Sequence, residues 1–318
     1  MEAEMAIEAR GLHKAYGQTP VLGGVDLQVR AGSVFALLGP NGAGKTTTVR
    51  ILSTLIEADG GSARVGGYDV VRERRQVRRV ISLTGQYAAV DDMQTGAENL
   101  RMMSRLAGLR ARAARRRTDE LLEEFDLVEA AGRRVGTYSG GMRRRLDLAA
   151  GLVGHPSIIF LDEPTTGLDP RSRQAMWRVI SGLVDSGVTV FLTTQYLEEA
   201  DQLADRIAVI DGGAVVAEGT AGELKRQFAE QRLDLILTDI GAYDQLSALL
   251  GQRAVERDPG RRLIGIPTDG SAAHVRGLLD ELDPRRTTVQ SFSLHTATLD
   301  DVFLALTGHV TTREIAHV

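Results

Sequence analysis

The sequence predicts an α/β protein: a parallel sheet with helices on both faces, an inserted helical subdomain, and a small α/β extension at its C-terminal end. Three observations carry this reading. Short apolar runs alternate with segments of helical periodicity on either side of a middle stretch, which implies parallel strands joined by crossover helices. From about residue 98 to 154 helical periodicity dominates. Beyond about residue 225 the alternation continues in a weaker form.

Residues 7–12, 25–29 and 34–38 are apolar or alternating and separated by glycine-containing turns, as strands are. A glycine-rich loop covers 39–44, and a helix is expected from about 45 to about 55. Residues 80–83 read as a further strand. The run Glu120-Leu-Leu-Glu-Glu-Phe-Asp-Leu127 typifies the helical subdomain, placed at about 88–155. Then come strand 158–161, helix 171–184, strand 188–193, helix 197–204 and strand 207–210. In the tail, 233–237, 263–266 and 289–294 read as strands, and 242–250, 272–282 and 299–306 as helices. Asp258-Pro-Gly and Asp283-Pro mark turns. The domain boundaries expected are 1–225 and 226–318.

The bulk numbers exclude several classes. A net charge of −4 argues against a protein built to coat nucleic acid, and no nucleic-acid partner is expected. The absence of cysteine rules out disulfides, Cys-ligated zinc and a thiol nucleophile, and fits a reducing compartment. No apolar run approaches the roughly 18–20 residues of a bilayer span, and the acidic N-terminus lacks a signal-peptide core. Lysine is scarce, at Lys14, Lys45 and Lys225 only, which makes Lys45 stand out.

Gly39-Pro40-Asn41-Gly42-Ala43-Gly44-Lys45-Thr46-Thr47 fits the phosphate-loop pattern Gly-x-x-x-x-Gly-Lys-Ser/Thr. Glycines let the backbone curl so that its N–H groups face phosphate oxygens, and the helix that follows adds its N-terminal partial charge. Lys45 suits the β- and γ-phosphates and Thr46 offers a hydroxyl to Mg²⁺. An apolar strand precedes the loop and a helix follows it, as the mechanism requires.

Ile158-Ile-Phe-Leu-Asp162-Glu163 is an apolar run ending in two acids, the form of a doubly covered parallel strand whose carboxyl end meets ligand. Successive side chains leave a strand in different directions, so the two acids take different roles. One is expected to hold Mg²⁺ and the other to polarise the attacking water.

Tyr138-Ser-Gly-Gly-Met-Arg-Arg-Arg-Leu146 precedes that strand and resembles the Leu-Ser-Gly-Gly-Gln signature of ABC ATPases. Ser139, Gly140 and Gly141 match, while Tyr138 and Met142 depart. With the phosphate loop and the carboxylate strand in order around it, the chain resembles the ABC family of P-loop NTPases over roughly residues 5–225. Further landmarks then fall in sequence. Tyr16 sits where the family stacks an aromatic on adenine, Gln86 where it has a Mg- and water-contacting glutamine, and Asp169 in the loop that meets the opposite protomer. Gln195 stands where the family usually has a histidine that touches the γ-phosphate. A glutamine amide donates a hydrogen bond there but carries no proton or charge. Thr194-Gln195-Tyr196, Gly136-Thr-Tyr-Ser-Gly-Gly-Met142 and the tail Thr298-Leu-Asp-Asp-Val-Phe-Leu304 resemble the daunorubicin-resistance ATP-binding subunits.

The resemblance implies an ATPase with ATP and Mg²⁺ as ligands. Lys45 and the loop amides would hold the phosphates; Thr46, Gln86 and Asp162 the metal; Glu163 would be the base. It implies a homodimer with ATP between a phosphate loop of one copy and a signature of the other. It also implies a separate ABC-2-type membrane permease, and so a place on the cytoplasmic face of the membrane. The expected role is to power export of a drug, antibiotic or lipid-like compound. The rival is a soluble ABC ATPase acting on ribosomes or DNA, but neither paired cassettes nor long coiled coils are present. Residues 101–117 carry seven arginines, read as a solvated helix face balanced by Asp119, Glu120, Glu123 and Glu124 in preference to a surface for anionic lipid headgroups.

Overall fold

The computed structural model describes residues 4–85, 89–228, 231–295 and 297–308. Two compact units divide the chain, Met1–Ala221 and Gly222–Val318.

The first unit runs β1 (Met5–Tyr16), β2 (Thr19–Arg30), β3 (Val34–Leu38), α1 (Lys45–Leu52), β4 (Gly60–Val65), β5 (Tyr68–Asp69), α2 (Arg74–Val80) and β6 (Ile81–Thr84). Three helices follow: α3 (Gly96–Leu106), α4 (Ala111–Glu124) and α5 (Gly140–Gly151). Then come β7 (Ile158–Asp162), α6 (Pro170–Asp185), β8 (Thr189–Thr194), α7 (Leu197–Leu203), β9 (Arg206–Asp211), β10 (Ala214–Gly219) and α8 (Ala221–Phe228), the last crossing into the second unit.

A six-stranded sheet has the order β10-β9-β3-β8-β7-β6 and is parallel except for β10 against β9. Strands β3, β7 and β8 are buried along their whole length, as continuous apolar runs in a covered parallel sheet should be. Phe191 lies between Phe35 and Phe160 on the neighbouring strands, with ring centroids 5.5 Å apart on each side. The register pairs Leu38 with Thr194 and Asp162 with Thr193, so the strand ends that lead into the phosphate loop, Glu163 and Gln195 share one edge.

A second, antiparallel sheet of order β2-β1-β4-β5 adds to what the sequence pattern suggested. Its strand β4 opens on Gly60-Gly61, which reads as a turn. The approach of the chains explains the glycine: a Cβ on Gly61 would lie 2.1 Å from the Gly11 carbonyl oxygen. Helix α1 ends at Leu52, three residues short of the expected end. Thr54 takes a left-handed φ of 65°, and the N–H groups of Leu55 and Ile56 both turn back to the Arg50 carbonyl.

In the helical region Thr95 caps α3 through a capping box with Glu98. Helix α3 packs on α4 and α5. The second unit contains β11 (Arg232–Leu237), α9 (Ile240–Leu250), β12 (Glu256–Asp258), β13 (Leu263–Pro267), α10 (Ala272–Leu282), β14 (Val289–His295) and α11 (Leu299–Thr307). Its sheet, β12-β13-β11-β14, is antiparallel. Leu233, Leu235 and Leu237 pack in one core with Tyr243 and Leu246 of α9 and Val275 and Leu278 of α10. At the turn expected after Asp283, its carboxylate accepts from the backbone N–H of Thr287, Thr288 and Val289 at 2.9, 3.0 and 2.8 Å.

Candidate active site

The loop after β3 needs its glycines for space. A Cβ on Gly39 would lie 2.3 Å from the Ile210 carbonyl oxygen, and one on Gly44, at φ 107°, 2.5 Å from Leu22 Cδ2. Gly42 holds φ 84°. Pro40, Asn41 and Ala43 complete the curl, with Ala43 N–H donating to Pro40 O at 3.2 Å. Helix α1 then starts at Lys45, with Thr46 half-buried and Thr47 buried in its first turn.

Lys45 is 5% exposed, and its Nζ donates to Gly39 O at 2.7 Å and Pro40 O at 3.0 Å. Burial pulls its pKa below the ordinary lysine value, against the opposing pull of Glu163 and Asp162. At the end of β7, Asp162 Oδ1 accepts from Thr46 Oγ1 at 3.3 Å and Thr193 Oγ1 at 2.5 Å. Glu163 follows with a left-handed φ of 50°, uncommon for a residue with a Cβ. Its N–H donates to Thr193 O at 3.1 Å, and Thr166 Oγ1 donates to its Oε2 at 3.3 Å. The change of backbone direction sends its side chain away from Asp162's path, to within 3.9 Å of Lys45 Nζ.

Gln195 leaves the end of β8, half-buried, and its amide makes no hydrogen bond among the described residues. The preceding Thr194 carbonyl accepts from Gly39 N–H at 3.4 Å, tying this segment to the start of the loop. Tyr16 is the last residue of β1, 47% exposed, with Lys14 Nζ 6.0 Å from its ring centroid. Gln86 lies outside the described residues.

A second cluster gathers elsewhere on the chain. Ser139 caps α5 by accepting from Met142 N–H at 3.2 Å, and Ser139 and Gly140 are exposed. Gly141 is buried against α6: a Cβ there would lie 2.5 Å from Ser172 Oγ. Ser172 in turn donates from N–H and Oγ to Asp169, the cap of α6, at 3.0 and 2.5 Å. Those hydrogen bonds hold the Asp169 carboxyl below the usual carboxylate range. Tyr138, the departure from the signature pattern, is buried and donates to Ala130 O at 2.7 Å.

The structure thus brings together Lys45, Thr46, Asp162 and Glu163 at one sheet edge, and links Ser139, Gly140, Gly141 and Asp169 through Ser172. Sequence reading missed Thr193, which from the neighbouring strand donates to the Asp162 carboxylate and accepts from the Glu163 backbone N–H, and Arg144, whose guanidinium reaches the carbonyls of residues 162–164. Their signals were faint: Thr193 sits in an apolar strand and Arg144 in a run of three arginines.

Chemically, the first cluster offers a buried cation at a helix start, two hard oxygen donors 3.3 Å apart and a separate carboxylate. No group of three or more His, Cys, Asp and Glu builds a metal cage among the described residues. The Thr46 hydroxyl and Asp162 carboxylate themselves suit Mg²⁺, which needs only one or two protein oxygens beside phosphate and water.

Residues 22–166 match the family described as ABC transporter, and residues 219–307 the C-terminal domain of DrrA1-3-like ATP-binding proteins. The chain is 53% identical to the daunorubicin/doxorubicin resistance ATP-binding protein DrrA of Streptomyces peucetius, covering 96% of this chain and 93% of that one. It is 48% identical to the doxorubicin resistance ATP-binding protein DrrA of Mycobacterium tuberculosis (strain CDC 1551 / Oshkosh), covering 96% and 94%. A solved structure of an ATP-binding subunit of an ABC transporter aligns with a TM-score of 0.63 at 29% identity, over 70% of this chain and 93% of that one.

Proposed function

We propose a function from one premise: the chain belongs to the ABC transporter family, as an ATP-hydrolysing subunit of the drug-resistance type. It powers export of a drug, antibiotic or lipid-like compound through a separate ABC-2-type membrane permease. It works from the cytoplasmic face of the membrane, where ATP-binding subunits of this family meet their permease; no helix among the described residues is long and apolar enough to cross a membrane. The observation that carries the catalytic reading is the meeting of Lys45, Thr46, Asp162 and Glu163 at the carboxyl edge of the parallel sheet.

Phosphoryl transfer depends on positioning and charge neutralisation more than on covalent chemistry. Lys45 and the backbone N–H groups of residues 39–47 bind the phosphates. Thr46 and Asp162, with Gln86, hold Mg²⁺, which when bound neutralises charge on the phosphate oxygens. Glu163 orients the attacking water and accepts its proton, and Gln195 donates a hydrogen bond to the γ-phosphate. The exposed ring of Tyr16 stacks on adenine.

Ser139, Gly140, Gly141 and Asp169 serve the nucleotide of a second copy, so two chains close head-to-tail over two ATP molecules. ATP favours that closed state by contacts the open state lacks. The test is Glu163→Gln in the purified protein. It should bind Mg-ATP, lose turnover and sediment as a dimer only with nucleotide. Protein that retains no nucleotide would overturn the ATPase reading; a variant that stays monomeric at saturating Mg-ATP would overturn the head-to-tail pair for the isolated subunit.

A further inference from the structure

Two charged side chains nearly out of solvent stand a turn beyond the start of α5. Arg144 Nη1 lies 3.7 Å from Asp147 Oδ2, with the side chains 11% and 4% exposed. The guanidinium does more than pair with this acid. Its Nη1 donates to Gly85 O at 2.6 Å, Nε to Pro164 O at 3.0 Å, and Nη2 to Asp162 O and Glu163 O at 3.3 and 3.4 Å. On the other side Asp147 Oδ1 accepts from Ala89 N–H at 2.7 Å.

One helical turn therefore grips both Gly85 and Ala89, the residues that bracket the sequence carrying Gln86. The same turn grips the backbone on which Asp162 and Glu163 sit. A buried ion pair is a weak source of stability, because desolvation offsets its attraction. Helix packing alone does not require one either, since an apolar pair of similar volume would fill the space. What a rigid fork of five donors adds is a fixed spacing between several acceptors.

We propose that Arg144 and Asp147 are positioning residues for ATP hydrolysis. They lock the helix that begins at Ser139 to residues 85 and 89 and to the 162–164 backbone, so that these three pieces move as one body. The proposal rests on the reading of Glu163 as the hydrolytic base. Neither residue touches substrate; both act through the backbone they hold.

The test uses the purified full chain with Arg144→Met, Arg144→Lys and Asp147→Ala, read by steady-state ATPase kinetics and by amide hydrogen exchange. Arg144→Met is expected to lower kcat by about 10- to 100-fold, the effect of a misplaced catalytic group. The KM for Mg-ATP should stay within about threefold, because phosphate binding is left intact. Arg144→Lys should restore only part of kcat, since an ammonium cannot span four carbonyls. Asp147→Ala touches no atom of Glu163, yet amide exchange should quicken at both Ala89 and Glu163. Exchange that quickens at Ala89 alone overturns the coupling, as does an unchanged kcat in Arg144→Met. Should that variant fail to fold, Arg144→Lys and Asp147→Ala carry the same readouts. If the wild-type protein hydrolyses no ATP, the hydrolase reading fails by that result alone, and the exchange pattern still decides the coupling.

Discussion

Lys45 Nζ lies 3.9 Å from Glu163 Oε1, with the two side chains only 5% and 10% exposed, yet its hydrogen bonds go to the carbonyls of Gly39 and Pro40. Burial works against its charge. A cation held in this way is poorly explained by stability and well explained by a ligand that brings several negative oxygens.

Lys45→Met keeps the bulk of the side chain and removes the charge. Wild-type protein at 100 times its Kd for Mg-ATP should gain about 2.7 kcal/mol of stability, seen as a rise in melting temperature. The variant should show none of that rise at the same concentration, and its turnover should fall at least about 100-fold. A nucleotide-dependent rise equal to the wild type's would remove Lys45 from the binding role.

Glu199 is fully buried on α7, with Oε1 accepting from Trp177 Nε1 at 3.3 Å. Burial, the largest influence, pushes its carboxyl above the usual glutamate range; hydrogen bonds, including that from Trp177, and the Arg173 charge act the other way. The folded chain thus keeps a proton that the unfolded chain releases. That contribution to stability is complete below the ordinary glutamate pKa of about 4.3 and is lost as pH rises through the higher folded-state value. Glutamine ionises in neither state. The melting temperature of Glu199→Gln should therefore gain on the wild type as pH rises from about 4.3 toward neutrality. A constant difference across that range would contradict the assignment.

Tyr138→Phe removes only the hydroxyl that donates to Ala130 O, a carbonyl that keeps the Arg133 N–H at 2.9 Å. It should cost about 1 kcal/mol in urea unfolding, with ATP turnover unchanged. A large loss of turnover would give Tyr138 a role at the nucleotide that its burial does not suggest.

Gly141→Ala places a Cβ 2.5 Å from Ser172 Oγ and 2.8 Å from Ser172 Cβ. The overpacking should cost about 1–3 kcal/mol and displace the Asp169 cap. Adding Ser172→Gly should recover part of the stability, because the obstructing atoms are gone. An equally unstable double variant would show that the clash is not the cause.

The parallel sheet was legible because strands covered on both faces are apolar throughout, as in Val34-Phe-Ala-Leu-Leu38 and Ile158-Ile-Phe-Leu161. The site was legible where chemistry demands a residue type at a fixed spacing, as from Gly39 to Thr46. Very short strands and one that opens on glycines were not. Strand β5 has two residues and β12 three, too few to show a period, and β4 hides behind Gly60-Gly61. Contacts set by long-range packing left little trace either. Nothing in Arg143-Arg-Arg145 singles out the middle residue until the helix turns Arg144 inward, while Arg145 reaches Asp126 at 3.3 Å. Glu199 likewise looks like one more acid of an exposed helix, and only the fold buries it.

The contact between Gly141 and Ser172 joins two exposed helix starts into one mechanical piece. Any change at Asp169 must then preserve or rebuild the packing beneath Ser139, and the reverse holds as well. A substitution at either helix start is therefore felt at the other, so the two places are constrained to vary together.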